Sequence, residues 1–528
     1  LTDSRLTGEA TVMDTEKNID KLFARWQSGN CPGGQVLVRK AGKTIYRKWF
    51  GMANLEYQVP INSQTLFHLA SVSKQFTVMA ILLLQEAHKL QVDDDIRKYV
   101  GDIIHIPVAI TIRNLMNNTS GIRDQWELLM LRGVRIDDVI TMQDVLATLS
   151  DQRNLNFTPG SRYLYSNSNF TLLAEIVNRV SGMPFPEFLR QKVFIPLGMN
   201  QTCVRNEVTQ VLKNVAYSYI DRGNGKFAYQ PLNFCLYGPT SVNSTVDDFV
   251  SVLDYYEGQL SSFGSQASRN FMFTRPILSN GLPSEYGAGL EFGSHKGLEF
   301  FGHGGVDAGF RSQILIFPKE HLDICIFSNT TNIAPKQAAL RIADILLELP
   351  QEQSIESGKD LKEAMVGTYV NNDKDRPCQL TISENGKENF VEKNGYRIAL
   401  HRLPDGSYQL GTLDAYISFC DSKALYKAAG RTYDLDKVLP AKELDGLEGT
   451  YTDTENSAVL QISQQGQEYI ISRFRWPAAK LYQRSQDVLC FDVFDDLPSS
   501  LTLIRKEHAI TGFSLDCGRS LHMIFQKQ

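Results

Sequence analysis

Three short motifs carry side chains suited to acyl transfer. The first is Ser71-Val72-Ser73-Lys74. A serine hydroxyl is a weak nucleophile until a neighbouring base takes its proton, and a lysine three residues on shares its face of a helix. Ser71 stands at the predicted start of that helix, where free backbone N–H groups and the positive end of the dipole point outward. Chance alone gives about two S-x-x-K matches in a chain this long, yet this is the sole one. The second motif is Tyr165-Ser166-Asn167. A phenol beside a lysine ammonium loses its proton more easily and can relay a proton, while the Asn167 amide can bind a substrate carbonyl. The third is His303-Gly304-Gly305. Paired glycines let a substrate backbone approach and leave the N–H of Val306 to face an oxyanion, with His303 lining the cleft as donor or proton-transfer partner. Each motif alone has a plain alternative: a capping serine with a surface lysine, a capped helix beside a packed tyrosine, a glycine turn with a surface histidine.

The elements that must position these residues follow from hydrophobic period and turn chemistry. Gln35 to Lys40 and Thr44 to Phe50 read as a hairpin around Ala41-Gly42-Lys43. A helix from about Ser71 to Lys89 is apolar on nearly all sides over Phe76 to Leu84, which places it inside a domain. A second helix follows Ser166-Asn167-Ser168 and stops at Gly182. Near residue 300 the period returns to two, with Gln313 to Phe317 and Leu322 to Phe327 around a Pro-Lys-Glu-His turn, and Lys336 to Leu349 closes the block as a helix. Beyond the polar stretch Gln351 to Asp360 the chain turns to short β-type runs, with turns such as Asn385-Gly386 and Asp405-Gly406. Within it, Met365-Val366-Gly367-Thr368-Tyr369 recurs as Leu447-Glu448-Gly449-Thr450-Tyr451, which predicts two successive small all-β antiparallel barrels. The expected division is a catalytic domain over 1–350, one barrel over 351–439 with a linker at about 351–360, and a second over 440–528.

Composition narrows the class. The 528 residues exceed one compact domain, and 42% hydrophobic with 21% charged residues is ordinary globular usage. Lys plus Arg is 54 against Asp plus Glu 59, a net charge of -5 that gives no electrostatic pull toward nucleic acid or anionic membrane. No apolar run approaches the roughly 18 residues that span a bilayer. The eight cysteines contain no C-x-x-C pair and the nine histidines are dispersed, so free buried thiols, no metal site and no cofactor are expected. The recorded sequence opens at Leu1 without a targeting segment, which leaves cytoplasmic and periplasmic or secreted locations open.

In this order and at these separations, the three motifs resemble the serine β-lactamase and penicillin-binding-protein superfamily, nearest its class C-like branch with Tyr in the second motif. Pro32-Gly33-Gly34, Asn118-Thr119-Ser120-Gly121, Pro196-Leu197-Gly198-Met199 and Ser244-Thr245-Val246-Asp247-Asp248-Phe249 extend the likeness over residues 20 to 349. The resemblance implies an α+β catalytic domain, an antiparallel sheet flanked by helices with a helical subdomain. It implies Ser71 as acylated nucleophile, Lys74 as its proton partner, Tyr165 as base and later acid, Asn167 orienting the substrate amide, and an oxyanion hole of the Ser71 and Val306 N–H groups.

Two departures narrow the expected substrate. Relatives acting on β-lactams or D-Ala-D-Ala usually carry Lys in the third motif; His303, neutral at pH 7 near its reference pKa of about 6.5, disfavours a free carboxylate, although Arg311 is close in sequence. Asn118 stands where many relatives have His. The appended β modules, His303 and the aromatic Trp126 after Asn117-Asn118-Thr119-Ser120-Gly121 resemble the D-stereospecific aminopeptidases. The implied substrate is a short peptide or amide with a free N-terminal D-residue; esterase, β-lactamase or D,D-peptidase activity is the alternative, and a non-catalytic binder on this fold a distant one. Asp495 or Asp496, in an acidic Pro-containing loop, is the hypothetical anion for the substrate ammonium, with an exposed hairpin loop as the plain reading. The tail otherwise reads as a carbohydrate-binding appendage or a homodimerisation surface.

Overall fold

The computed structural model describes residues 14–260, 262–350, 361, 365–371, 378–384, 389–393, 396–403, 405–410, 415–428, 431–440, 444–493 and 497–528. The expected linker at 351–360, the Asn385-Gly386 turn, Asp495 and Asp496 lie outside them. The chain forms two compact units. One comprises 1–122, 137–150 and 157–351; the other comprises 123–136, 151–156 and 352–528.

The first unit is built on a seven-stranded antiparallel sheet. Its strands are β1 (Gly34–Lys40), β2 (Lys43–Phe50), β3 (Tyr286–Gly287), β4 (Leu290–His295), β5 (Leu298–Asp307), β6 (Phe310–Phe317) and β7 (Leu322–Ser328), in the order β3-β4-β5-β6-β7-β1-β2. The β1–β2 hairpin closes through two residues of positive φ, Ala41 at 49° and Gly42 at 73°, the turn whose twist suits adjacent strands. β6 and β7 are buried over almost their whole length because both sheet faces are covered, hence their continuous apolar runs.

On one face, α4 (Pro335–Leu346) brings Ala339, Ile342 and Ala343 against Val36, Val38, Leu315 and Ile324, beside Ile19 and Phe23 from the N-terminal segment. On the other, Phe249 of α3 (Val246–Tyr256) meets Phe327 edge-on, with ring centres 5.2 Å apart, and then Phe76 of α1 (Lys74–Glu86). A helix wedged between a helical layer and a sheet has no wet face, so α1 is buried at every position from Lys74 to Leu82. The helical subdomain includes α2 (Asn167–Ser181), ended by Gly182 at φ 70°.

Three helix boundaries differ from the expected ones, the first being the end of α1 at Glu86 rather than Lys89. Ser71 lies in a 3-10 turn, Ala70–Ser73, and the α-helix proper begins only at Lys74. Ala70 at φ 50° sets that turn, a conformation an L-residue adopts at a cost. The last helix stops at Leu346 instead of Leu349, since Pro350 disfavours helical backbone before it and Glu348 is left-handed at φ 50°.

In the second unit, eight strands between Gly367 and Lys437 close into a barrel, and ten strands between Leu439 and Lys527 form a second antiparallel sheet. The repeated pentapeptide is the same joint in each. Tyr369 and Tyr451 are fully buried, and their hydroxyls donate to the carbonyls of Met365 (2.9 Å) and Leu447 (2.5 Å). Each tyrosine pairs with the lysine of the last strand, Lys437 or Lys527. Segments 123–136 and 151–156, which sequence order assigns to the catalytic block, are held here. Arg123 donates to the carbonyl of Leu521 at 3.0 Å and pairs with Glu455 at 3.1 Å, and Asn456 donates to the carbonyl of Leu128 at 2.9 Å. All eight cysteines are free, with Cys420 exposed and Cys203 half-buried. No helix among the described residues is long and apolar enough to cross a membrane.

Candidate active site

The three motifs meet in the first unit. The 3-10 turn holds Ser71 partly exposed and α1 sends Lys74 into the interior with no exposed surface. The Lys74 ammonium donates to Ser71 Oγ at 3.0 Å, Asn167 Oδ1 at 2.8 Å and the Pro239 carbonyl at 2.9 Å. Three acceptors match its three N–H donors. Tyr165, just before α2, turns its ring to the same ammonium, 4.8 Å from Nζ to ring centre. One lysine thus touches the serine hydroxyl of the first motif, the amide of the second motif and the phenol ring. Asn167, the first residue of α2, spends its side chain on Lys74 rather than on capping, and Ser166 makes no side-chain cap.

β5 supplies the third motif. Gly305 is required by contact: a Cβ there would lie 2.1 Å from Ser312 Oγ and 2.2 Å from the Leu69 carbonyl oxygen. This approach brings β5 against the turn that carries Ser71, and Val306, 63% exposed, follows at the mouth. Ser312 Oγ donates to the Leu69 carbonyl at 2.6 Å, fixing the same junction from β6. Beside it Thr240 Oγ1 donates to Asp307 at 2.5 Å, and the His68 ring lies 2.8 Å from the same carboxylate. The segments before Ser71, after Val306 and after Pro239 are therefore tied at one point.

His303 is only 1% exposed, and both ring nitrogens are engaged. Nδ1 lies 2.6 Å from the Gly304 carbonyl, which requires a proton on Nδ1, and Nε2 accepts from the Tyr286 hydroxyl at 3.1 Å. Burial lowers the imidazole pKa to about 4, with Lys74 acting in the same direction and Glu291 opposing. The ring is thus directed at Tyr286 and its own backbone, and its lowered pKa favours the neutral form near pH 7. Arg311 sits opposite Val306 in the β5–β6 ladder and donates to the carbonyls of Ala308 and Phe310.

Two residues that sequence reasoning did not place prove central. Tyr286 is fully buried, stacks on Tyr163 with ring centres 5.4 Å apart, and meets both Tyr165 and His303 edge-on at 5.7 and 5.6 Å. No local signal marks it. Asn118 was visible in the Asn118-Thr119-Ser120-Gly121 likeness and as a departure from a His, without a role; at φ 53° it accepts from Ser166 N–H at 3.1 Å and Asn169 Nδ2 at 2.8 Å, while its carbonyl accepts from Leu164 N–H at 3.0 Å. It anchors the Tyr165 loop on both sides.

A family model described as Beta-lactamase matches residues 18–348. The chain belongs to the Beta-lactamase family. That family is one of serine hydrolases, and its penicillin-binding-protein-like members share the fold seen here. A D-aminopeptidase of Gluconobacter oxydans is 29% identical over 359 residues, 67% of this chain and 65% of that protein. Penicillin-binding protein 4* of Bacillus subtilis is 27% identical over 376 residues, 67% of this chain and 82% of that one. The match thus spans less than two thirds of the Gluconobacter protein's length. Among solved structures, an octameric penicillin-binding protein homologue from Pyrococcus abyssi superposes with a TM-score of 0.58 at 24% identity, covering 81% of this chain and all of that one. A D-stereospecific amidohydrolase from Streptomyces sp. superposes at 0.51 with 21% identity, over 62% of this chain and 97% of that one. At these identities the superpositions speak for the fold alone.

Proposed function

We propose that the chain is a serine hydrolase working through an acyl-enzyme, and that it releases N-terminal D-residues from short peptides or amides. The observation that carries the acyl-transfer reading is the Lys74 ammonium at hydrogen-bond distance from Ser71 Oγ and Asn167 Oδ1, under the Tyr165 ring. In this reading Tyr165, as phenolate beside the Lys74 ammonium, takes the Ser71 Oγ proton as Oγ bonds to the substrate carbonyl carbon. The carbonyl oxygen, now anionic, takes hydrogen bonds from the Ser71 and Val306 N–H groups. The C–N bond breaks as Tyr165 returns the proton to the departing amine, and Asn167 orients the amide. Water then adds to the ester with Tyr165 as base, and the free acid leaves as Ser71 recovers its proton.

The preference for an aminopeptidase substrate over a β-lactam or D,D-peptide rests on the buried neutral His303 and on relatives named D-aminopeptidase. A D,D-peptidase is the second reading, favoured by the share of penicillin-binding protein 4* that the chain covers. The test is release of p-nitroaniline from D-alanine p-nitroanilide and its L-enantiomer, with nitrocefin alongside and Ser71→Ala as control. Cleavage of the D-anilide alone, lost in the variant, is expected. Nitrocefin turnover without anilide cleavage overturns the substrate assignment, and activity surviving in Ser71→Ala overturns the mechanism.

A further inference from the structure

At the end of the sheet that carries the Ala41–Gly42 and Pro318–His321 turns, away from Val306, lies a cavity of about 740 Å³. Tyr256, Phe273, Phe292, Phe300, Phe301 and Ile316 form its walls. Phe273 and Phe301 have ring centres 4.7 Å apart, and Tyr256 meets Phe273 edge-on at 5.2 Å. Exposed Ala41, Glu299 and His321 stand at its mouth. The Ser71 mechanism uses none of these residues.

Its inner end is acidic. Glu257 and Asp323 line it, and Arg39, 1% exposed, is the guanidinium behind them. Arg39 bonds directly to Asp254 at 2.6 Å and stands at 3.7 Å from Glu257 and 3.9 Å from Asp323. Three carboxylates share one guanidinium, whose one direct bond goes to Asp254, while Glu257 Oε2 also accepts from Gln259 Nε2 at 2.6 Å. Asp323 has a side chain only 3% exposed, and its Oδ2 has no hydrogen-bond partner among the described residues. A buried carboxylate oxygen without a hydrogen bond is costly unless a cation or a proton meets it. Burial and the adjacent Glu257 raise its pKa to about 7, against the pull of Arg39. The other charges at the cavity are occupied elsewhere: Glu299 pairs with Lys319 at 2.7 Å, and Arg275 lies over the Phe292 ring and donates to the Ser284 carbonyl.

We propose that this cavity is a binding site for an apolar organic cation, an arylalkyl primary amine, whose ammonium meets Glu257 and Asp323 while its ring lies among Phe273, Phe292 and Phe301. Three N–H donors suit the oxygens of two acids, and aromatic faces favour a cation held near them. A carboxylate-bearing ligand would add a further negative charge to the same end.

The test titrates full-length protein calorimetrically with 2-phenylethylamine, 2-phenylethanol and 3-phenylpropionate, and repeats the amine with Glu257→Gln and with Asp323→Asn. The amine is expected to bind at least about tenfold tighter than the alcohol or the acid, and to lose at least about tenfold in each variant that melts as the parent does. Glu257 is partly exposed, so its amide variant keeps the fold and secures the comparison. Amine binding unchanged in the variants places the ligand elsewhere, the catalytic cleft included, and overturns the proposal. Equal binding of the alcohol, or no amine binding at millimolar concentration, does the same.

Discussion

Asn118 holds the Tyr165 loop by accepting from Ser166 and Asn169, and His303 holds the far side of the same ring cluster through Tyr286. Both are tied to the residues around Tyr165 by these contacts. For His303 the consequence is a pH dependence with a definite sign. Its folded pKa of about 4 lies below the ordinary imidazole value of 6.5, so between those values the unfolded chain binds the extra proton and the native chain does not. Stability is therefore whole above about pH 6.5 and falls as pH drops toward 4. Urea unfolding at pH 7 and 5 should show a loss of about 2 kcal/mol from this group, absent in His303→Gln. A parent and a variant that lose the same amount would show that His303 titrates normally.

At the scale of elements, the site depends on how closely β5 can run past the Ala70–Ser73 turn. Gly305 makes that passage, Ala70 takes a left-handed conformation to meet it, and Ser312 and the His68–Thr240–Asp307 contacts lock the junction. Gly305→Ala puts a methyl inside contact distance of the Leu69 carbonyl, which is backbone and cannot swing aside. The strand must shift outward, at a cost of about 1–3 kcal/mol, and the Val306 N–H moves off the position proposed for the oxyanion. Turnover should fall at least about a hundredfold, the size of losing one oxyanion donor. A variant of parental stability and turnover would show that β5 has slack there.

For the molecule as a whole, the division between units does not follow residue 351. Helix Gln125–Leu131 belongs with the C-terminal sheet: Arg519 bonds to Glu127 at 2.9 Å and to Asp124 at 3.2 Å, and both acids have no exposed surface. Burial first, with Asp124 beside it, pushes the Glu127 carboxyl up to about 8 even against Arg519. Ending the chain at residue 351 removes Arg519, Glu455 and Asn456, the partners of Glu127, Arg123 and the Leu128 carbonyl, together with the sheet against which 123–136 and 151–156 pack. The apolar side chains of that segment, Leu128, Leu129 and Leu131, then face water. A chain of residues 1–351 is therefore expected to be insoluble or to melt well below the full chain. A soluble fragment with the parental melting temperature would show that these contacts carry no stability.

That Ser71, Lys74, Tyr165 and Asn167 come together was legible in the sequence because the signal is local: motif type, spacing and the element each opens. The apolar α1, the β6–β7 hairpin and the repeated Gly-Thr-Tyr joint were legible for the same reason, since burial on all sides and alternate burial write themselves into consecutive residues. Other features came only from tertiary contact. Tyr286 meets His303 from another strand, and Asn118 fastens a loop far along the chain. Arg123 finds its partners beyond residue 450. Whether His303 faces the cleft or the interior depends on which groups bury it and which accept its proton. Those partners are distant in sequence, and only the folded chain brings them within hydrogen-bond reach.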